Sequence, residues 1–64
     1  MNMNALLNTL AAGETITIGN SFQIYAYDDG TVVGRQQGSG LMSEAYPRTK
    51  RGLNAIFAWM DTLS

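Results

Sequence analysis

Tyr25, Tyr27, Val33 and Arg35 are residue types that anchor interfaces, and within each pair the two-residue spacing puts both side chains on one side of an extended chain. Two aromatic rings, a branched aliphatic and a guanidinium with few other charges match the make-up of an interface core. The first chemistry they suggest is therefore capture of a protein partner or pairing with a second copy. The second is stacking of unpaired bases on an open sheet, and the plain alternative is a face filled by the chain itself. Arg48, Lys50 and Arg51 form another constellation, at the expected start of a helix, where the macrodipole disfavours cations. Free N–H groups beside three cations make an anion or phosphate site; the competing reading is a solvated helix start neutralised by Glu44 or by an acidic partner surface.

The remaining polar groups point away from catalysis. The chain has no His and no Cys, which removes the commonest general base, thiolate nucleophile and metal ligands. Zinc and triad chemistry are accordingly not expected, and no cofactor or metal is assigned. Asp28 and Asp29 are adjacent carboxylates before Gly30, which turn chemistry explains better than a cation site does. Gly38-Ser39-Gly40 is a flexible loop without the spacing of a phosphate-binding motif. Trp59 sits beside a helical apolar stripe and is read as part of the core or of its edge.

Positioning these residues requires elements that the hydrophobic periodicity supplies. Met3, Leu6, Leu7 and Leu10 recur at helical spacing, with Gly13 as a stop, and predict a short amphipathic helix. Glu14 to Ile18 alternates with the strand period, as does Ser21 to Tyr27. A three-residue loop from Gly19 to Ser21 sets Ile18 opposite Phe22 and Ile16 opposite Ile24, whereas a two-residue loop would oppose Ile16 to Gln23. The same test at Asp28-Asp29-Gly30 favours a three-residue turn with Gly30 left-handed, pairing Ala26 with Val32 and Tyr25 with Val33. A third strand follows from about Thr31 to Gln36, then a loop from Gln37 to Gly40. A short fourth strand is expected at Leu41 to Ala45, and Pro47 interrupts. The last helix begins near Thr49 and carries the stripe Leu53, Ile56, Phe57, Met60 and Leu63.

The expected fold is a single α+β domain spanning the chain. It has two layers: an antiparallel sheet of three or four strands, with an N-terminal and a C-terminal helix packed on the face carrying Ile16, Ile18, Phe22, Ile24, Ala26 and Val32. At 64 residues it has room for one core and buries only about 60% of its unfolded surface, so marginal stability is expected. With 45% hydrophobic and 14% charged residues it is too apolar for a disordered chain. The low charge, net -1, suggests self-association, and a homodimer is expected. No apolar run is long enough for a signal peptide or a membrane span, so a cytoplasmic protein without membrane attachment is expected.

From Phe22 onward the sequence resembles the YegP-like family of small βββα proteins, over about two-thirds of the chain. The resemblance is carried by Phe22-Gln23-Ile24-Tyr25 opening a strand, Gly30 in the first turn and Arg35 in the second strand. Leu41-Met42-Ser43-Glu44-Ala45-Tyr46 before the helix, with Ile56 at the family's spacing from Tyr46, completes it. Ala55 stands where that family commonly has Gly. The chain differs in a shorter loop at Gln37 to Gly40, in Pro47, and in the added helix and strand before Phe22. The resemblance implies a fold and no activity.

The function these observations lead us to expect is a non-enzymatic interaction domain. Its size suggests a phage or mobile-element modulator that inhibits a host enzyme or defence complex. The alternative is nucleic-acid binding through the tyrosines, Arg35 and the basic helix start, against which stands an isoelectric point near 4.9.

Overall fold

The structure, a computed structural model, describes residues 3–63, apart from the Met3 side chain. That part of the expected N-terminal stripe which rests on Met3 therefore lies outside the described residues. Helix α1 (Met3–Thr9) precedes strands β1 (Thr15–Ile18), β2 (Phe22–Ala26), β3 (Thr31–Gln36) and β4 (Tyr46–Pro47), and helix α2 (Lys50–Thr62) closes the chain. The strands form one antiparallel sheet in the order β1-β2-β3-β4.

Both hairpins take the expected register. Ile16 pairs with Ile24 and Ile18 with Phe22, and across the next turn Tyr25 pairs with Val33 and Ala26 with Val32. Gly30 adopts a φ of 87°, the left-handed conformation the three-residue turn demands. Asp29 does the turn work expected of it. Asp29 Oδ1 accepts from the Thr31 hydroxyl at 2.6 Å and from the Thr31 N–H at 3.1 Å.

The fourth strand departs from expectation. The ladder lies at Tyr46–Pro47, and the segment Leu41 to Ala45 makes only an isolated bridge between Met42 and Arg35. Between that bridge and the Val32–Tyr46 pair, the outer segment carries one residue more than β3, a bulge. Ser43 holds the bulge. Its N–H donates to the Gly34 carbonyl and its hydroxyl accepts from the Gly34 N–H, both at 2.8 Å. A side-chain oxygen thus replaces the backbone carbonyl that a regular strand would offer. Pro47 ends the pairing opposite Thr31 rather than separating strand from helix.

α2 begins where Thr49 caps it, the Thr49 hydroxyl accepting from the Gly52 N–H at 3.1 Å. Leu53, Ile56 and Met60 are buried, while Phe57 and Leu63 flank them half-exposed. The buried cluster joins these residues to Leu6 and Leu10 of the N-terminal segment and to Ile24, Ala26 and Val32 of the sheet. Ile16, Ile18, Phe22 and Trp59 pack against it. Trp59 sits edge-to-face on Phe22 with ring centroids 6.0 Å apart, so it closes the margin of the core. Helix α1 stops at Thr9, before Gly13, and its end is capped from a distance. The Arg48 guanidinium donates to the carbonyls of Leu10 at 3.1 Å and Leu7 at 3.4 Å. Gly13 instead donates its N–H to the Ala26 carbonyl at 2.7 Å, which starts the β1–β2 pairing. Among the described residues no helix is long and apolar enough to cross a membrane.

Candidate functional site: a tyrosine-lined groove on the sheet

On the sheet face opposite Ile24, Ala26 and Val32, strand alternation sets out two rungs. One runs Thr17, Gln23, Arg35, Met42, and its neighbour runs Thr15, Tyr25, Val33. Tyr27 lies at the end of β2, its N–H donating to the Thr31 carbonyl at 2.9 Å. These side chains bound a groove of about 300 Å³ lined by Thr15, Gln23, Tyr25, Tyr27, Val33, Arg35, Gly40 and Met42. The volume is at the lower end of what ligand pockets offer.

The two tyrosines form the wall. Their rings meet edge-to-face with centroids 4.8 Å apart, a favoured aromatic geometry that holds the two side chains against each other. Even so, Tyr25 and Tyr27 remain 37% and 39% exposed. Val33 shares this face with them as expected and, only 5% exposed, serves as its floor. Arg35, exposed beside Gln23 and Met42, is the one charged residue among the described residues of the lining.

The three residues of the basic constellation are not equivalent. Arg48 turns its guanidinium onto the last carbonyls of α1, while Lys50 and Arg51 lie exposed on the first turn of α2. The reason is electrostatic: carbonyls at a helix C-terminus carry partial negative charge and attract a cation that the N-terminus of α2 would repel. Arg48 therefore has a task in the fold, at the end of α1, although it stays exposed as Lys50 and Arg51 do.

Sequence reasoning singled out Tyr25, Tyr27, Val33 and Arg35, which line this groove together. It missed Thr15, Gln23, Gly40 and Met42. Gln23 and Thr15 were within reach, since Gln23 shares alternation with Tyr25 and the chosen register puts Thr15 opposite Tyr25. Met42 and Gly40 were not, because the bulge at Ser43 decides how that segment meets Arg35. No protein-family model, no curated protein and no solved structure matches this chain, so its likeness to the YegP-like family rests on the residues quoted above.

Proposed function

We propose that this chain is a non-enzymatic domain that binds another protein through the groove formed by Tyr25, Tyr27, Val33 and Arg35. One observation carries the reading. Among the described residues the large hydrophobic side chains left exposed are Tyr25, Tyr27, Leu41 and Met42; three of them line the groove, and Leu41 lies between two lining residues in sequence. So small a domain has little reason to leave its exposed apolar surface in one place unless that surface is covered in use. Exposed aromatics beside one arginine suit a partner that inserts an apolar side chain and brings a carboxylate to Arg35. A cytoplasmic modulator that inhibits a host enzyme or defence complex would use this same surface.

The test is capture from a native lysate, followed by titration of the captured protein against the Tyr25→Ala/Tyr27→Ala variant. We expect binding to be lost while circular dichroism shows the fold retained, since aromatic anchors at an interface centre carry about 2 kcal/mol or more each. Undiminished capture by the double variant overturns the proposal. The exposed rings next to Arg35 also favour a second reading, base stacking on the sheet.

A further inference from the structure

We infer that β1 is a pairing edge for a second copy of this chain, joining two four-stranded sheets antiparallel about a two-fold axis at Ile16. The inference rests on the sheet's register and not on the partner proposed for the groove.

β1 ends the sheet: β2 lies on one side of it and, among the described residues, no strand lies on the other. Which of its backbone groups point outward follows from parity. Ala26 donates to the Glu14 carbonyl at 3.0 Å, so that pair is a hydrogen-bonded one. Bonded and non-bonded pairs alternate along an antiparallel ladder, so Ile16–Ile24 and Ile18–Phe22 are bonded pairs as well. Thr15 and Thr17 therefore direct their N–H and C=O groups away from β2, to the free edge.

Nothing in the sequence guards this edge. Sheet edges are ordinarily protected by lysine, proline, a bulge or a covering segment, yet from Thr15 to Ser21 there is no charged residue and no proline. Thr15 and Thr17 are exposed, and Ile16 and Ile18 keep part of their surface in solvent although they face the core side.

The choice of a second copy as occupant follows from self-complementarity. Thr15-Ile16-Thr17 reads the same in both directions. Two-fold antiparallel pairing then sets Ile16 against the partner's Ile16 and Thr15 against the partner's Thr17. The outward N–H and C=O groups of both copies are all used. Charge is compatible too: in this register Glu14 falls opposite the partner's Ile18, so no like charges meet. Thr15 lines the groove, and across the axis its row continues into the partner's Thr17 and Gln23. Pairing thus sets the two grooves side by side on one face of an eight-stranded sheet.

The test is sedimentation over micromolar to millimolar chain concentration for four proteins: wild type, Thr17→Pro, Thr15→Lys/Thr17→Lys and Thr15→Lys/Thr17→Glu. Proline at position 17 removes only an outward N–H, which an edge strand tolerates. The two charge variants carry net +1 (-1 + 2) and -1 (-1 + 1 - 1), equal in magnitude, and differ in what meets across the axis. We expect a wild-type dimer, a monomeric Thr17→Pro protein, and a dissociation constant about tenfold or more weaker for the like-charged variant than for the opposite-charged one. A wild type that stays monomeric to millimolar concentration overturns the inference. So does equal association of the two charge variants, or a dimer that survives Thr17→Pro and is lost in Tyr25→Ala/Tyr27→Ala, which would move the interface to the groove. A monomeric chain whose Thr17→Pro variant fails to hold a captured protein also overturns it, because the edge would then serve a foreign strand. If instead the groove proposal fails, through undiminished capture by the tyrosine variant, the sedimentation result is untouched.

Discussion

At the scale of single residues, the tightest constraints fall on glycines whose role is invisible in composition. A Cβ on Gly52 would overlap the Pro47 carbonyl oxygen and press on the Tyr46 side chain, because the first turn of α2 lies directly against β4. In an open helix, glycine to alanine gains about 1 kcal/mol from propensity. Here we predict the opposite sign. Gly52→Ala should lose at least about 1–3 kcal/mol to overpacking against backbone that cannot swing aside, and a raised melting temperature would refute this. Gly34→Ala meets only Ile56 Cγ2 at 2.8 Å and the Trp59 ring at 3.0 Å, side-chain atoms that can shift, so its cost should be the smaller of the two. Asp29 is a different kind of case. The Thr31 hydroxyl, and then the Thr31 N–H, hold its carboxylate below the ordinary value of 3.8. A depressed folded value means that the turn is favoured above the unfolded value and loses that favour as pH falls through the folded one. An NMR titration of Thr31→Val should move the Asp29 midpoint back up toward 3.8; an unmoved midpoint would remove the hydroxyl as its main cause.

At the scale of elements, α1 depends on a contact that spans 38 residues. Seven residues are too few for a helix to persist by itself, so its last carbonyls need a partner, and Arg48 provides it. Arg48→Gln should cost about 1 kcal/mol and act locally. Hydrogen exchange should show the Leu10 N–H, bonded to the Leu6 carbonyl, losing protection while Ala26 in β2 keeps its own. Uniform loss across both elements would contradict a local cap. Within α2, Leu53 is fully buried and Phe57 only half, so Leu53→Ala should cost about 2–5 kcal/mol and Phe57→Ala less. These cases separate what could be read in advance from what could not. The hairpin registers were legible because side chains alternate with period two, and only one loop length at each turn pairs apolar residues with apolar residues. The same alternation delivered Tyr25, Tyr27 and Arg35. The place of β4 was hidden because it turns on one hydroxyl, that of Ser43, standing in for a carbonyl. The contact of Arg48 was hidden for a related reason: its basic neighbours in sequence are Lys50 and Arg51, while its partners, Leu7 and Leu10, lie at the other end of the chain.

For the whole molecule, size and charge decide between the two kinds of partner. The Cα radius of gyration is 10.6 Å, close to the roughly 11 Å expected of a compact chain this long, so one copy already forms a closed core. What it leaves for binding is surface, and that surface is poor in positive charge. The chain carries four basic and five acidic residues, and Arg48, though exposed like Arg35, Lys50 and Arg51, spends its Nη1 on the carbonyls of Leu7 and Leu10, which leaves three cations not engaged there. A single-stranded nucleic acid held by all three would show a log-log salt slope no steeper than about -2, since each phosphate contact contributes about -0.7. Stacking on Tyr25 and Tyr27 would add about 1–3 kcal/mol per base, too little alone to hold a strand at physiological salt. We therefore predict no measurable binding of mixed-sequence oligonucleotides under those conditions. Micromolar or tighter binding, steeply weakened by salt and lost on Lys50→Glu/Arg51→Glu reversal, would replace the protein-binding reading with the nucleic-acid one. Reversal at Arg35 is the more informative arm. Arg35→Glu reverses the one charge among the described residues of the groove, so a partner that presents a carboxylate there should be rejected by the variant, and one that presents only apolar side chains should not.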